Sequence, residues 1–301
     1  MAMLSGCASD RAPVSDADHA TGYATVLNDN PAAVDEFVRA ASDADVVLIG
    51  ELHDAVAGQA LAADVWDRVV GARPRSALAM EFFERDEQLM LDDYLAGYIK
   101  DEAEFKHLSG RTESNYPAGH RRMVEAAREH GRPVFAANAP RRYVRIARAE
   151  GYDALRKMPR DRQPLFKIPN PQPGGVYKET FYSLDFGHGP LSAAPENADA
   201  MFRSQSLWDA TMADTVVRAL GAGHSPVFLV VGAFHVMDDG GTKQLIRRAR
   251  PRAKIVTFAV IRQSEAAGRV SSEAADFVLF VPSEPEPNEP EPGKADGGAE
   301  N

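Results

Sequence analysis

The chain of 301 residues is poor in several things, and each shortage removes a class of answer. It has a single cysteine, Cys7, so no internal disulfide can staple the fold. No apolar run reaches the length that a helix needs to cross a bilayer. Positive charge is in deficit, with a net charge of −10, which argues against nucleic acid as a partner because phosphate binding wants a basic face. From Ser283 onward there are six acidic residues and one Lys, so the remainder of the chain is only mildly acidic. Several catalytic signatures are missing too. No Gly-x-Gly-x-x-Gly follows a strand-like run, which disfavours a nicotinamide site. There is no phosphate loop, no His-Glu-x-x-His, no Gly-x-Ser-x-Gly and no Cys-x-x-Cys-His.

What is present is one short pattern used twice. Val-Val-Leu-Ile-Gly50-Glu51-Leu52-His53 lies near the start, and Leu-Val-Val-Gly232-Ala233-Phe234-His235 some 180 residues later. Each apolar, β-branched run reads as a buried strand, and each delivers a Gly followed three positions on by a His. In an open α/β sheet, ligands sit beyond the carboxyl ends of the strands, so the two histidines are expected to share one site.

The hydrophobic content of 44% is that of a globular protein. Strands are predicted at Val46–Ile49, Ser76–Met80, Pro133–Ala137, Pro226–Val231, Lys254–Val260 and Phe277–Val281, with helices opening at Asn30-Pro31 and covering Ala55–Val70, Ala118–His130, Leu207–Leu220 and Thr242–Ala249. This alternation implies an α/β fold with a mostly parallel sheet flanked by helices. Residues 86–115 and 141–200 do not fit it, and a crossover does not need about 90 residues between the third and fourth of these strands. They are expected to form a smaller helical subdomain over the carboxyl edge of the sheet, within one domain spanning 31–282. Residues 1–30 read as a loose polar tether, and the Pro/Glu-rich 283–301 as a disordered tail.

Four of these strands end in polar groups. The first gives Glu51 and His53, the second Glu81, the third Asn138 and Arg141, the fourth His235. Imidazole and carboxylate together suit a divalent ion such as Fe, Zn or Mn, held by His53, Glu81 and His235. Such an ion activates water, with Glu51 as base and Asn138 or Arg141 steadying developing negative charge. Each residue also has a duller account: a structural His, a Glu that caps a helix, an aromatic pair Phe82-Phe83 that is simply core. Tyr116, Tyr177 and Tyr182 are candidates to stack on or ligate a flat cofactor.

Leu4-Ser5-Gly6-Cys7 has the form of a bacterial lipobox, although a basic stretch and an apolar core of signal-peptide length do not precede it. Either the true start lies upstream or the match is fortuitous, with Cys7 then a free thiol. Lipidation at Cys7 predicts a chain anchored to the cell envelope, facing the periplasm from the outer membrane.

Five motifs in order, Gly50-Glu51-Leu52-His53-Asp54, Ala79 through Gln88, Ala136-Ala137-Asn138-Ala139-Pro140-Arg141, Trp208 through Ala213 and Gly232-Ala233-Phe234-His235-Val236, resemble the ChaN family, bacterial iron-regulated lipoproteins with a haem-binding role. That family belongs to a wider Tiki/TraB and erythromycin-esterase-like superfamily. The resemblance implies haem as ligand, two haems stacked face to face in a homodimer, and a tyrosine on the iron, without fixing which. It also implies a second possibility, because superfamily relatives of the metalloprotease kind hold a divalent metal with paired Gly-x-x-His motifs and a Glu, positions matched here by His53, His235 and Glu81.

Overall fold

The computed structural model describes residues 24–112, 115–185, 190–265 and 274–283. Cys7 and the acidic tail beyond Ser283 lie outside them. Seven parallel strands form one sheet in the order β1-β7-β6-β2-β5-β3-β4. They are β1 (Thr25–Val26), β2 (Val46–Glu51), β3 (Ala77–Glu84), β4 (Val134–Asn138), β5 (Val227–Gly232), β6 (Ile255–Arg262) and β7 (Phe277–Val281). Ten α-helices accompany them among the described residues: α1 (Pro31–Asp43), α2 (Val56–Val70), α3 (Gln88–Leu95), α4 (Glu102–Ser109), α5 (Ala118–Glu129), α6 (Arg141–Glu150), α7 (Tyr152–Arg156), α8 (Val176–Ser183), α9 (Pro195–Gly221) and α10 (Gly241–Ala249).

The strand sequences explain the layering. Every residue of β2 is buried, and successive side chains go to opposite faces. Val47 and Ile49 join Phe228, Val230 and Phe258 in the larger core, under α1, α2 and α5. Val46 and Leu48 join Val227, Leu229 and Val231 in a second core, covered by Met212 and Val216 of α9 and Ile246 of α10. The sheet is therefore covered on both faces.

The two insertions behave differently. Leu91, Tyr94 and Phe105 from α3 and α4 are buried in the larger core, so the first insertion thickens an existing layer. The second carries small cores of its own, around Tyr143, Leu155 and Phe166, and around Tyr177, Phe181 and Phe202. It forms a helical hood on the amino-terminal half of α9, which begins at Pro195 rather than at Leu207. Thr25–Val26, expected within the loose tether, instead pairs with β7 as an edge strand.

Strand order places the site. β5 lies between β2 and β3, so the ends of β2 and β5 and the point just past Met80 where β3 leaves β5 bring Glu51, Gly232 and Glu81 side by side. Glu51 is in register with Gly232.

Candidate functional site

Two carboxylate–imidazole pairs are set into this edge, on either side of Glu81. In the first, His53 Nδ1 lies 3.4 Å from Glu51 Oε1, and the other Glu51 oxygen pairs with His120 Nε2 at 2.7 Å. Glu51 and His120 are fully buried, whereas 61% of the His53 side chain is exposed. The ring of Phe82 is wedged between the two imidazoles, 5.2 Å from that of His53 and 4.1 Å from that of His120. Burial works to raise the Glu51 pKa, but its bonds to His120 and His53 outweigh it and hold the carboxylate below its ordinary range. The bond to Glu51 in turn raises the His53 pKa against burial, helped by the charge on Glu81.

In the second pair, Asp209 of α9 is wholly buried and its Oδ1 lies 2.7 Å from His235 Nδ1. Thr242 donates to the same oxygen at 2.7 Å, and the Tyr177 hydroxyl donates to Oδ2 at 2.6 Å. Burial opposes charge on His235, yet Asp209 and Glu81 raise its pKa overall. Tyr177 is pushed well above the ordinary phenol value by burial and by Asp209.

Glu81 stands between the pairs. Its Oε2 accepts the Gly232 N–H at 2.7 Å, and its Oε1 is 3.8 Å from His235 Nε2. A side chain on Gly232 would meet both His53 Cε1 and Glu81 Oε2, at 3.5 and 3.7 Å, so the two Gly-x-x-His motifs face one place. The glycines serve different ends. A Cβ on Gly50 would lie 3.1 Å from Ala233 Cα and 3.2 Å from the Phe258 carbonyl oxygen, so Gly50 lets the turn after β5 pack onto β2. At Gly232 the contacts are ordinary, and the backbone N–H is what matters.

The expected three-residue metal set takes a different form. Among the described residues no group of three or more His, Cys, Asp or Glu is placed to hold a metal ion. Glu81 gives one oxygen to the Gly232 N–H, and the His235 ring is held by Asp209 at Nδ1 and met by the Gln205 amide 3.2 Å from Nε2.

The remaining candidates are dispersed. Asn138, at the end of β4, accepts from the Ala139 N–H, and Arg141 is exposed and 3.6 Å from Glu84, so one ends the edge strand and the other opens the helix after it rather than standing beside His53. Tyr116 is fully buried against Phe83 and Phe105, its hydroxyl without a partner among the described residues, which makes it part of the core rather than a ligand-facing wall. Tyr182 is partly exposed and donates to Asp199; burial and that carboxylate push its pKa up to about 12.

Sequence reasoning missed Asp209 and His120. Both occupy apolar faces of helices, which is itself the missed signal: His120 falls in step with Met123, Val124 and Ala127, and Asp209 lies among Ala210, Met212 and Ala213. A polar residue in an apolar stripe needs a partner. Phe82, read with Phe83 as core, lies instead against the two histidines.

The comparisons with known proteins come to the same part of the chain. No curated protein matches. Among solved structures, the chain is similar to one described as "Cofacial heme binding to ChaN of Campylobacter jejuni", with a TM-score of 0.62 and 19% identity over 81% of this chain and 90% of that one. An erythromycin esterase mutant in its open conformation matches with a TM-score of 0.44 and 14% identity, over 75% of this chain and 72% of that one. At these identities the likeness concerns the fold. The family described as haem-binding uptake, Tiki superfamily, ChaN matches residues 37–246, most of the folded chain and all of the site, so the protein belongs to that family.

Proposed function

We propose that this protein binds haem at the open edge beside His53 and contributes to haem or iron uptake in a bacterial cell envelope, anchored to the membrane through Cys7. Membership of a family described as haem-binding over residues 37–246 carries the reading. The donor set fits an iron porphyrin through nitrogen. His53 is exposed, its Nδ1 is turned to Glu51, and its Nε2 has no hydrogen-bond partner among the described residues. A carboxylate behind an imidazole fixes the tautomer and would strengthen the outward nitrogen as a ligand to iron. The expected phenolates fit less well, because Tyr177 and Tyr116 are buried and the Tyr182 hydroxyl is committed to Asp199. Bound haem would bring a Lewis-acidic iron and a broad apolar plane, beside which Phe82 offers a ring. A homodimer with two facing haems is the assembly that the family resemblance suggests.

Titrating the purified chain with hemin should give a saturable Soret shift. His53→Ala should weaken it at least tenfold and change the band position, while Tyr182→Phe leaves it in place. A flat response in the wild type overturns the reading.

The Glu51–His53 pair favours a second reading, a hydrolase with His53 as general base. Imidazole backed by a buried carboxylate is the usual arrangement for that work. A panel of chromogenic esters, with His53→Ala as control, tests it. Metal analysis of protein prepared without chelator separates it from the metal-assisted version, which requires one ion per chain, lost in a His53→Ala/His235→Ala variant.

A further inference from the structure

A cleft of about 620 Å³ opens between the Gly174–Gly175 loop, which leads into α8, and the face of α10. Tyr177 belongs both to this cleft and to the site: it lines the cleft, while its hydroxyl goes to Asp209. We propose that the cleft is an oxyanion site, taking the phosphate or carboxylate group of a small ligand on Lys243 and the amino end of α8.

Lys243 carries the argument. Its side chain lines the cleft, the residue is only 8% exposed, and no hydrogen bond or ion pair holds it among the described residues. The carboxylates of Asp276, Asp239 and Asp238 are near enough to act on its charge, yet none bonds to it directly, so an oxyanion in the cleft would be its first direct partner. Burial first, and the nearby Arg247 charge next, push its pKa down by more than Asp276, Asp239 and Asp238 raise it, and an arriving oxyanion would work against that fall.

The second observation comes from the backbone. Gly175 caps α8 without a side chain, and the N–H groups of Val176 and Tyr177 have no acceptor among the described residues. The first N–H groups of a helix and its dipole together favour an anion. The loop is held open for one: Gln244 clips Gly174 through both its N–H and its carbonyl, at 3.1 and 3.0 Å. Gly175 sits at φ +61, and a Cβ on either glycine would point into empty space.

The other charged groups are engaged. Arg247 pairs with Asp239 at 3.1 Å, and Arg248 donates to the carbonyls of Pro171 and Gln172. Asp238 is the second acid of the cleft and has an interaction of its own. Three cations against two anions leave the cleft positive in a chain whose net charge is −10. Arg248 has carbonyls for its N–H groups, and Lys243 is the cation of the cleft with no hydrogen bond of its own among the described residues.

Isothermal titration of the full chain at low ionic strength, with inorganic phosphate and separately with succinate, tests this. Saturable binding of at least one is expected, weakened about ten- to hundredfold in Lys243→Met, the range for a lost hydrogen bond to a charged group. Val176→Pro removes one N–H at the first helical position, where proline is at home, so its melting curve should be unchanged and its binding weakened about fivefold. A response to phosphate alone assigns a phosphate ester, and to succinate alone a carboxylate; either supports the site. Failure of both anions to bind the wild type, or binding that neither variant weakens, overturns it. The titrations contain no hemin, so their failure would leave the haem reading intact.

Discussion

Asp209 shows what one buried carboxylate can organise. It receives Nδ1–H of His235 and the hydroxyls of Thr242 and Tyr177, joining α9, α10 and α8 to the turn after β5. Truncating one partner of such a pair strands the other, so Asp209→Ala should cost about 3–5 kcal/mol in chemical denaturation. The pH dependence has a definite sign. His235 titrates above its ordinary 6.5, so the folded chain binds that proton more tightly than the unfolded one. The stability this adds is complete below pH 6.5 and is lost as pH rises through the folded value. In Asp209→Asn the burial that remains should bring the His235 pKa down, and the fall in stability as pH rises above 6.5 should flatten. A ring-proton titration by NMR checks the first, and melts across that window check the second. Gly241 guards the same atoms: a Cβ there would lie 2.3 Å from Asp209 Oδ2 and 2.6 Å from Tyr177 Cε1. Gly241→Ala should therefore destabilise by about 1–3 kcal/mol as an overpacked site and lower the His235 pKa by displacing Asp209. The histidines at the strand ends were legible from sequence because strand periodicity has a clear end. Asp209 and His120 were not, because hydrophobic patterning reports which face is inside and says nothing of which buried polar groups will meet.

Elements in this chain divide by how much of their definition is local. The strands β2 to β7 announce themselves as apolar runs, β-branched in β2, β5 and β6 but not in β3, and β3 runs on through Glu81 to Glu84, past its first polar residue. β1 does not, because two residues contain no period and Thr25–Val26 becomes a strand only when β7 is beside it. α9 reads as a helix from Leu207, where its apolar stripe meets the sheet; its earlier turns serve the hood, whose cores no single window reveals. The motif from Glu84 to Gln88 is another case. Glu84 and Glu87 cap the short 3₁₀ turn reciprocally, and Gln88 extends the sheet with its side chain, accepting from the Ala136 N–H at 2.7 Å and donating to the Val134 carbonyl at 2.9 Å. A sequence resemblance cannot separate such structural residues from catalytic ones. Gln88→Ala should leave two strand groups unmatched, cost about 1–3 kcal/mol and speed hydrogen exchange at Ala136 more than at Ala79 on the neighbouring strand.

For the molecule as a whole, the site lies where two separately built parts meet. The sheet supplies Glu51, Glu81 and the two histidines; the hood supplies Tyr177, and α9 runs through both. The Tyr177–Asp209–His235 chain ties them, with Gln205 donating to the Tyr177 hydroxyl at 3.0 Å. Because burial in the hood rests on α9 and α9 rests on the sheet, hood and sheet should unfold together, in one calorimetric transition. A ligand that binds the folded chain alone raises that transition as a unit. At about 100 times its Kd the gain is ~2.7 kcal/mol, which for a domain of this size is a rise of about 5–11 °C. Hemin should therefore move the whole peak in the wild type. In Tyr177→Phe, which removes the hydroxyl that joins hood to Asp209, the apo transition should drop by about 1.5–3 kcal/mol, the worth of a hydrogen bond to a charged group. Hemin should still shift that variant upward, since His53 is untouched. A variant in which hood and sheet separate into two peaks, with only one responding to hemin, would instead place haem on one part alone and show that the Tyr177 bond is what makes the two a single cooperative body.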